Sequence, residues 1–509
     1  MDVTNEILIK GTLTLVALVT VILRHRRPGN LNPEKAGAML WTVAVVAILA
    51  WPNFGRLHGG SGIHHWEQFH YFLGSKYFPE LGYDGLYAAS LEAESKLELG
   101  RPVQAHVRDL RTNEVVPTST VRKHRNAVRL RFTDDRWQKF EADVAYFLKS
   151  NAYDYIRKIR LDHGYNPTPT WTFTARLFSR YPPAGDSSLT LLAWIDPLLL
   201  AALFLMIFRT YGSRIGCLAL IVFGLGYPWR FDWVGGAFLR QDWLAATGIA
   251  VCLMRKKVFL FAGMLLAYAT MVRVFPGAFL VGPLIVGIRQ TIEGRQTPRW
   301  LIRLGSGFLL GVLLCLIAGS LGGRGPQAWT EFQTNLEKHH GTWLTNNVGL
   351  ENTLLYDSDT LRRKDVDFTL PEPWLHWQAK MDRLQSERRA VVRGAFALFL
   401  LAAAMASWRQ TPDQAALSGI VIVFSGVILT CYYWVMLCLI PLGRGRWGPT
   451  AGWLTLNLGL YALHRSTPAF EMIYGTMSLA LAVFFLVWIG PDAWKTLQEI
   501  RGRLGRNSG

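Results

Sequence analysis

The residues best suited to chemistry lie in one stretch, His64-His65-Trp66-Glu67-Gln68-Phe69-His70-Tyr71, followed by Gly82-Tyr83-Asp84-Gly85-Leu86-Tyr87. The stretch comes just after an apolar run, so its carboxylates fall at the edge of a hydrocarbon layer. A carboxylate held there can take the proton from an acceptor hydroxyl beside a lipid-borne substrate. Glu67 is the candidate base: an ordinary glutamate pKa of about 4.3 leaves it ionised at neutral pH, and desolvation among aromatic rings raises its basicity. The competing role for Glu67 is a solvated or helix-capping carboxylate. Asp84 is the second candidate, and its competing role is stronger, because Tyr-Asp-Gly is also what a turn uses.

Arginines supply the other half of such a site. Arg240 and Arg273 each stand at the end of an apolar run, a costly place for a charge unless it is paired or functional. Guanidinium matches phosphate oxygens two at a time, which makes both candidates for holding a phosphate; snorkelling to the interface is the alternative. Asp242 is read as a structural partner of either arginine. His339 and His340, in Lys338-His339-His340-Gly341, are read as further ligands for phosphate or a sugar hydroxyl, against the plainer role of a surface pair. A helix would bring some of His64, His65, Glu67 and His70 together as metal ligands. The Gly59-Gly60-Ser61-Gly62 lead-in leaves that local fold open, and no metal or other cofactor is expected.

Composition says what must position these groups. The chain has 509 residues, of which 50% are hydrophobic and only 18% charged, and its apolar runs are separated by short basic connections, the pattern of a multi-spanning membrane protein. The runs fall at roughly 7–23, 36–52, 189–208, 215–227, 241–254, 258–272, 275–288, 303–321, 392–408, 415–428, 430–442, 449–464 and 472–490. Each is read as a helix, because lipid leaves the backbone no other partner. The expected fold class is therefore an all-α polytopic membrane protein of about 12–13 transmembrane helices, several of them shorter than the roughly 20 residues of a straight span.

Arg24-His25-Arg26-Arg27, Arg209 with Arg214, Arg255-Lys256-Lys257 and the run from Arg289 to Arg303 share one side, expected to be cytoplasmic. Two short helices over 415–442, in place of one, keep Arg444, Arg446 and the basic tail on that side. Asp2 and Glu6 precede the first apolar run and arginines follow it, the reverse of a cleavable signal, so 1–35 is expected to be an uncleaved anchor and its cytoplasmic turn. A transmembrane core then covers 36–490, with exported segments at 53–188 and 322–391 and a cytoplasmic tail at 491–509.

Within the first exported segment, 101–162 turns charged and is expected to be a small α+β domain. Val128-Arg129-Leu130-Arg131-Phe132 alternates as a strand does, and Trp137, Phe140, Val144, Phe147 and Ile156 recur at helical spacing between Asp134 and Arg160. All five cysteines lie in apolar runs, with no disulfide framework or metal spacing. The formal charge of +18 suits anionic lipid headgroups; scattered over connections, it does not form the single basic face of a nucleic-acid binder.

Four motifs in order give a resemblance. Glu67 with Tyr71, then Gly82 and Tyr87, come first; Gly236-Ala237-Phe238-Leu239-Arg240-Gln241-Asp242-Trp243-Leu244, Ala262-Gly263-Met264-Leu265-Leu266 and Val272-Arg273-Val274-Phe275-Pro276 come second. Asn346-Asn347-Val348-Gly349-Leu350-Glu351-Asn352 is third, and Tyr432-Tyr433-Trp434 before Leu439-Ile440-Pro441-Leu442 is fourth. In this order the chain, over about 50–450, resembles the GT-C superfamily of integral-membrane glycosyltransferases, most closely the polyprenol-phosphate-mannose-dependent mannosyltransferase type. It departs from that type in having Glu where Asp is more usual at 67, Arg where Lys is common at 273, an extra leading helix and a longer first exported loop.

The resemblance implies inverting transfer of a mannose-like hexose from a polyprenyl-phosphate donor to a lipid-linked or cell-envelope acceptor. Glu67 or Asp84 would be the base, Arg240, Arg273 and His340 the donor-phosphate ligands, and His70, Tyr71, Tyr87, Asn346 and Asn347 the substrate-facing residues. The positive-inside pattern favours a bacterial inner membrane, with the site on the periplasmic face. The alternatives are a transporter or flippase of an anionic prenyl lipid and an inactive relative serving as a scaffold. A transporter commonly carries internal repeats and midplane charges; no repeat is visible here, and the polar residues gather on one face.

Overall fold

A computed structural model describes residues 3–26, 33–97, 99–339, 342–356, 359–467 and 469–507. Most of the described residues are helical, and the strands form two small antiparallel sheets of two strands each. Six helices are long and apolar enough to cross a membrane: Thr4–His25, Asp186–Tyr211, Phe275–Gly294, Arg299–Ser320, Leu375–Ser407 and Phe470–Gly502. Shorter apolar helices, Gly37–Ala50, Ser213–Leu225, Phe259–Arg273 and Cys431–Leu442, pack among them. The chain is an all-α, membrane-embedded, multi-pass protein.

Small residues let these helices approach closely. A Cβ at Gly263 would lie 2.2 Å from the Leu304 carbonyl oxygen, and one at Gly307 would lie 2.0 Å from that of Leu260. Helices Phe259–Arg273 and Arg299–Ser320 therefore touch backbone to backbone, the packing that small residues permit where lipid offers no hydrophobic drive. The five cysteines are all buried free thiols.

Several expected boundaries move. The 415–442 region is broken, as read: a helix over Ser418–Gly426, a short strand at Leu429–Thr430, then Cys431–Leu442. That last element is wound as a 3-10 helix, and at about 2.0 Å rise per residue its 12 residues cover roughly 24 Å, further than an α-helix of the same length. Helix Leu375–Ser407 begins inside the segment assigned to the second exported loop, and helix Phe470–Asn507 runs on through Pro491 into the segment assigned to a tail.

Residues 101–162 hold helices and one hairpin, and the strands are not where alternation put them. The hairpin pairs His106–Asp109 with Glu114–Pro117. Val128 ends a helix, Arg122–Arg129, because Val121, His124 and Val128 bury one face at helical spacing, whereas Leu130 is 83% exposed. The single helix expected over Asp134–Arg160 is two, Asp134–Ser150 and Tyr153–Ile159. Trp137, Phe140, Val144, Phe147 and Ile156 are buried as their spacing requires.

Candidate active site

Glu67 lies in the first turn of helix His65–Lys76, where a negative charge meets the positive end of the helix dipole. It does not cap that helix. His64 does, its Nδ1 accepting from the Glu67 amide at 3.3 Å while its Nε2 faces the Asp232 carbonyl at 3.2 Å. That pattern needs the neutral ring, and burial drives the His64 pKa down to about 3. The cap thus leaves the Glu67 side chain free to point elsewhere.

It points at Arg240, whose Nε lies 3.0 Å from Glu67 Oε2. The same guanidinium donates from Nη1 to the Tyr71 hydroxyl at 3.0 Å. Its Cζ sits 4.8 Å from the centre of the Tyr71 ring and 5.2 Å from that of Tyr432, distances at which a cation is held by an aromatic face. Arg273 stands at the end of helix Phe259–Arg273, with its Cζ 5.9 Å from the Tyr433 ring. Tyr432 and Tyr433 pack on each other at 4.8 Å. The fold has therefore gathered the first, second and fourth sequence motifs around one carboxylate.

Two polar atoms of Arg273, Nε and Nη2, are buried without a hydrogen-bond partner among the described residues. A buried donor without an acceptor is expensive, and two on one guanidinium present a fork suited to an oxyanion. Burial raises the Glu67 carboxyl above its ordinary value; Arg240 opposes this, Asp162 adds to it, and the net direction is upward. A carboxylate so placed is a stronger proton acceptor than one in water.

The turn that carries Arg240 is fixed by a residue the sequence reading missed. Asp196 accepts the Arg240 amide with both carboxylate oxygens, at 3.0 and 2.9 Å, and the Gln241 amide at 3.0 Å. Trp171 donates its indole N–H to the Leu239 carbonyl and Trp243 donates to that of Arg240. Gly236, at φ +73°, lies so close to the segment before Glu67 that a Cβ would meet the Gly62 carbonyl at 2.3 Å, and its own carbonyl accepts the His64 amide at 3.0 Å. The sequence signals that Asp196 has some partner, since a carboxylate inside an apolar run must have one, but not which partner. Asp162 was also missed: it accepts the Trp66 indole N–H at 2.7 Å, next to Glu67.

Other candidates fall elsewhere. Asp84 pairs with Arg131 at 3.2 Å and lies 3.8 Å from His124, in a cleft shared with Arg111, Arg324 and Lys338. It is held by Arg131 and not by the arginines beside Glu67. Asp242 pairs with neither arginine within 4 Å; it accepts from Tyr268 at 2.9 Å and from the Trp243 amide at 2.8 Å. His70 spans from the Trp66 carbonyl, 2.9 Å, to the Tyr87 hydroxyl, 2.7 Å, and Tyr87 in turn accepts the Gly164 amide. These two brace helix His65–Lys76 and do not reach the arginines. Asn347 is in a strand paired with Leu429–Thr430, and the Asn346 carbonyl accepts the Cys431 amide at 2.9 Å, so both position the Tyr432-Tyr433 pair. His339 meets the His163 ring at 5.8 Å, and His340 lies outside the described residues. Among the described residues no group of three or more His, Cys, Asp or Glu side chains is arranged to hold a metal ion.

No family model, curated protein or solved structure matches this chain.

Proposed function

We propose that the protein is a GT-C-like membrane glycosyltransferase that moves a mannose-like hexose from a polyprenyl-phosphate donor to a lipid-linked or cell-envelope acceptor. The observation that carries this reading is the pairing of Glu67, its side chain only 13% exposed, with Arg240 beside an Arg273 whose Nε and Nη2 have no hydrogen-bond partner among the described residues. A general base and two phosphate-directed cations within one aromatic enclosure are what an inverting transfer from a lipid monophosphate needs.

In the reaction, the acceptor hydroxyl attacks the anomeric carbon as the bond from that carbon to the donor phosphate oxygen breaks. Glu67 takes the hydroxyl proton. The departing lipid phosphate, now carrying the electron pair of the broken bond, is neutralised by Arg273 and Arg240. Donor binding draws Arg240 toward the phosphate and away from Glu67, so the base is released from its counter-ion only when a donor is present. Tyr71, Tyr432 and Tyr433 offer ring faces to the sugar and exclude water from the anomeric carbon. The site lies on the exported face of a membrane, in this reading a bacterial inner membrane, and the chemistry calls for no cofactor.

The test is transfer by the purified protein in nanodiscs, offered a panel of labelled polyprenyl-phosphate sugars with total membrane lipid as acceptor. Transfer of one sugar with inverted configuration supports the reading, and no transfer from any donor contradicts it.

A further inference from the structure

The transfer chemistry makes no use of Arg230, which is only 6% exposed and whose Nε and Nη1 are buried without a hydrogen-bond partner among the described residues. The turn that carries it is firmly held. The Tyr227 amide donates to Asn457 at 2.8 Å, the Tyr227 hydroxyl meets His464 Nδ1 at 2.7 Å, and the Trp229 carbonyl accepts the Trp51 indole N–H at 3.1 Å. The guanidinium lies on the Tyr227 ring, its Cζ 4.5 Å from the centre. From Tyr227 the rings follow one another to Tyr474 at 6.1 Å, Phe470 at 6.0 Å and Trp233 at 5.6 Å. The Trp233 indole N–H is a third buried donor without a partner among the described residues.

Charge in this enclosure is balanced. Arg230 and Lys10 face two carboxylates, and these are already engaged: Glu6 holds Lys10 at 2.7 Å and meets the Asp232 side chain. Arg230 forms no ion pair among the described residues. Its Nε and Nη1 leave different edges of the guanidinium plane, so they call for separate acceptor oxygens. Spare donors without spare positive charge, set among aromatic faces, suit a neutral polyhydroxylated ligand better than an anion.

The enclosure adjoins Glu67. Trp233 packs 6.3 Å from the Tyr432 ring, the same ring that carries Arg240 at 5.2 Å, and the Asp232 carbonyl faces His64, the cap of the helix bearing Glu67. We infer that this lobe is an acceptor subsite for a neutral sugar, with Arg230 and Trp233 donating to its hydroxyls and Tyr227 beneath them. The assignment to the acceptor rests on the transfer reading; binding of a neutral sugar at Arg230 does not.

The test is saturation-transfer NMR on the full-length protein in phosphatidylcholine nanodiscs. The probes are mannobiose, cellobiose and chitobiose as neutral disaccharides, glucuronate as an anionic sugar, and farnesyl phosphate for the Arg273 side. Wild type is expected to bind at least one neutral disaccharide more tightly than glucuronate. Arg230→Gln should weaken that binding tenfold or more and Trp233→Phe, which keeps a ring and removes the N–H, about fivefold. Farnesyl phosphate binding should be unchanged in both variants. No disaccharide bound by wild type, glucuronate preferred, or disaccharide binding untouched by either substitution would overturn the inference. Farnesyl phosphate binding and sugar transfer are read separately, so their failure counts against the transfer reading and not against this subsite.

Discussion

Arg240 lays its Nε 3.0 Å from the Glu67 carboxylate, with only 3% of the arginine side chain and 13% of the glutamate side chain exposed. Ion pairs this deep are poor devices for stability, because desolvating two charges offsets most of their attraction. Their presence calls for another purpose, and here the pair sits beside Arg273, whose Nε and Nη2 have no hydrogen-bond partner among the described residues.

Removing one member of the pair should separate stability from activity. Glu67→Gln leaves Arg240 buried without a counter-charge, a loss of about 3–5 kcal/mol for a fully buried pair. We expect Glu67→Gln with Arg240→Gln to recover much of that stability in a denaturation series while recovering no transfer. Recovery of transfer in the double variant would contradict a base at Glu67.

Arg273 should behave in the opposite way. With Nε and Nη2 unpartnered, Arg273→Gln relieves a buried polar penalty of about 1–3 kcal/mol per group, so the variant should be as stable as wild type or more so. Donor KM should rise at the same time by tenfold or more, since each 1.4 kcal/mol is a factor of ten. A variant that loses stability and keeps its KM would mark Arg273 as structural.

The pH dependence follows from burial of Glu67, which raises its pKa. The ionised form is the active one, so transfer should fall as pH drops through that raised pKa, above the ordinary value of about 4.3. Stability runs the other way: a carboxyl with a raised folded pKa binds its proton more tightly when folded, so its contribution is favourable at low pH and is lost as pH rises through the folded value. Wild-type Tm relative to that of Glu67→Gln should therefore decline with rising pH, while wild-type activity climbs. His64, whose folded pKa is lowered to about 3, stays neutral through the activity limb, and its own effect on stability is common to wild type and Glu67→Gln and cancels in the comparison.

Gly236→Ala should damage the site from outside it. The φ of +73° and the 2.3 Å approach to the Gly62 carbonyl leave no room for a methyl group, and an incompatible glycine position costs more than the usual 0.4–1 kcal/mol, roughly 1–3 kcal/mol with strain. Transfer should fall along with Tm. Asp84→Asn, by contrast, removes a partly exposed ion pair worth about 0–1 kcal/mol and should leave kcat unchanged.

What was legible in the sequence was the chemistry that lipid makes conspicuous. Glu67, Arg240 and Arg273 stood out because charge beside apolar runs is rare, and the fold brings all three together. What was not legible depended on contacts distant in sequence. Asp196 is a single carboxylate in an apolar run, and its role shows only when the Arg240 turn folds over it. Asp84 stood as the second candidate base on its Tyr-Asp-Gly string, yet Arg131 claims it. The strand read at Val128–Phe132 failed because five alternating residues cannot outweigh the helical spacing of Val121, His124 and Val128. Helix lengths were misjudged where polar turns continue an apolar helix, as at Leu375–Ser407.

The most direct test of the central claim is single-turnover transfer with donor binding measured on the same samples, for wild type and Glu67→Gln. The account predicts that the variant still binds the polyprenyl-phosphate sugar but transfers it about 10²–10⁴-fold more slowly, the usual contribution of a general base. A folded Glu67→Gln protein that transfers at the wild-type rate would contradict it.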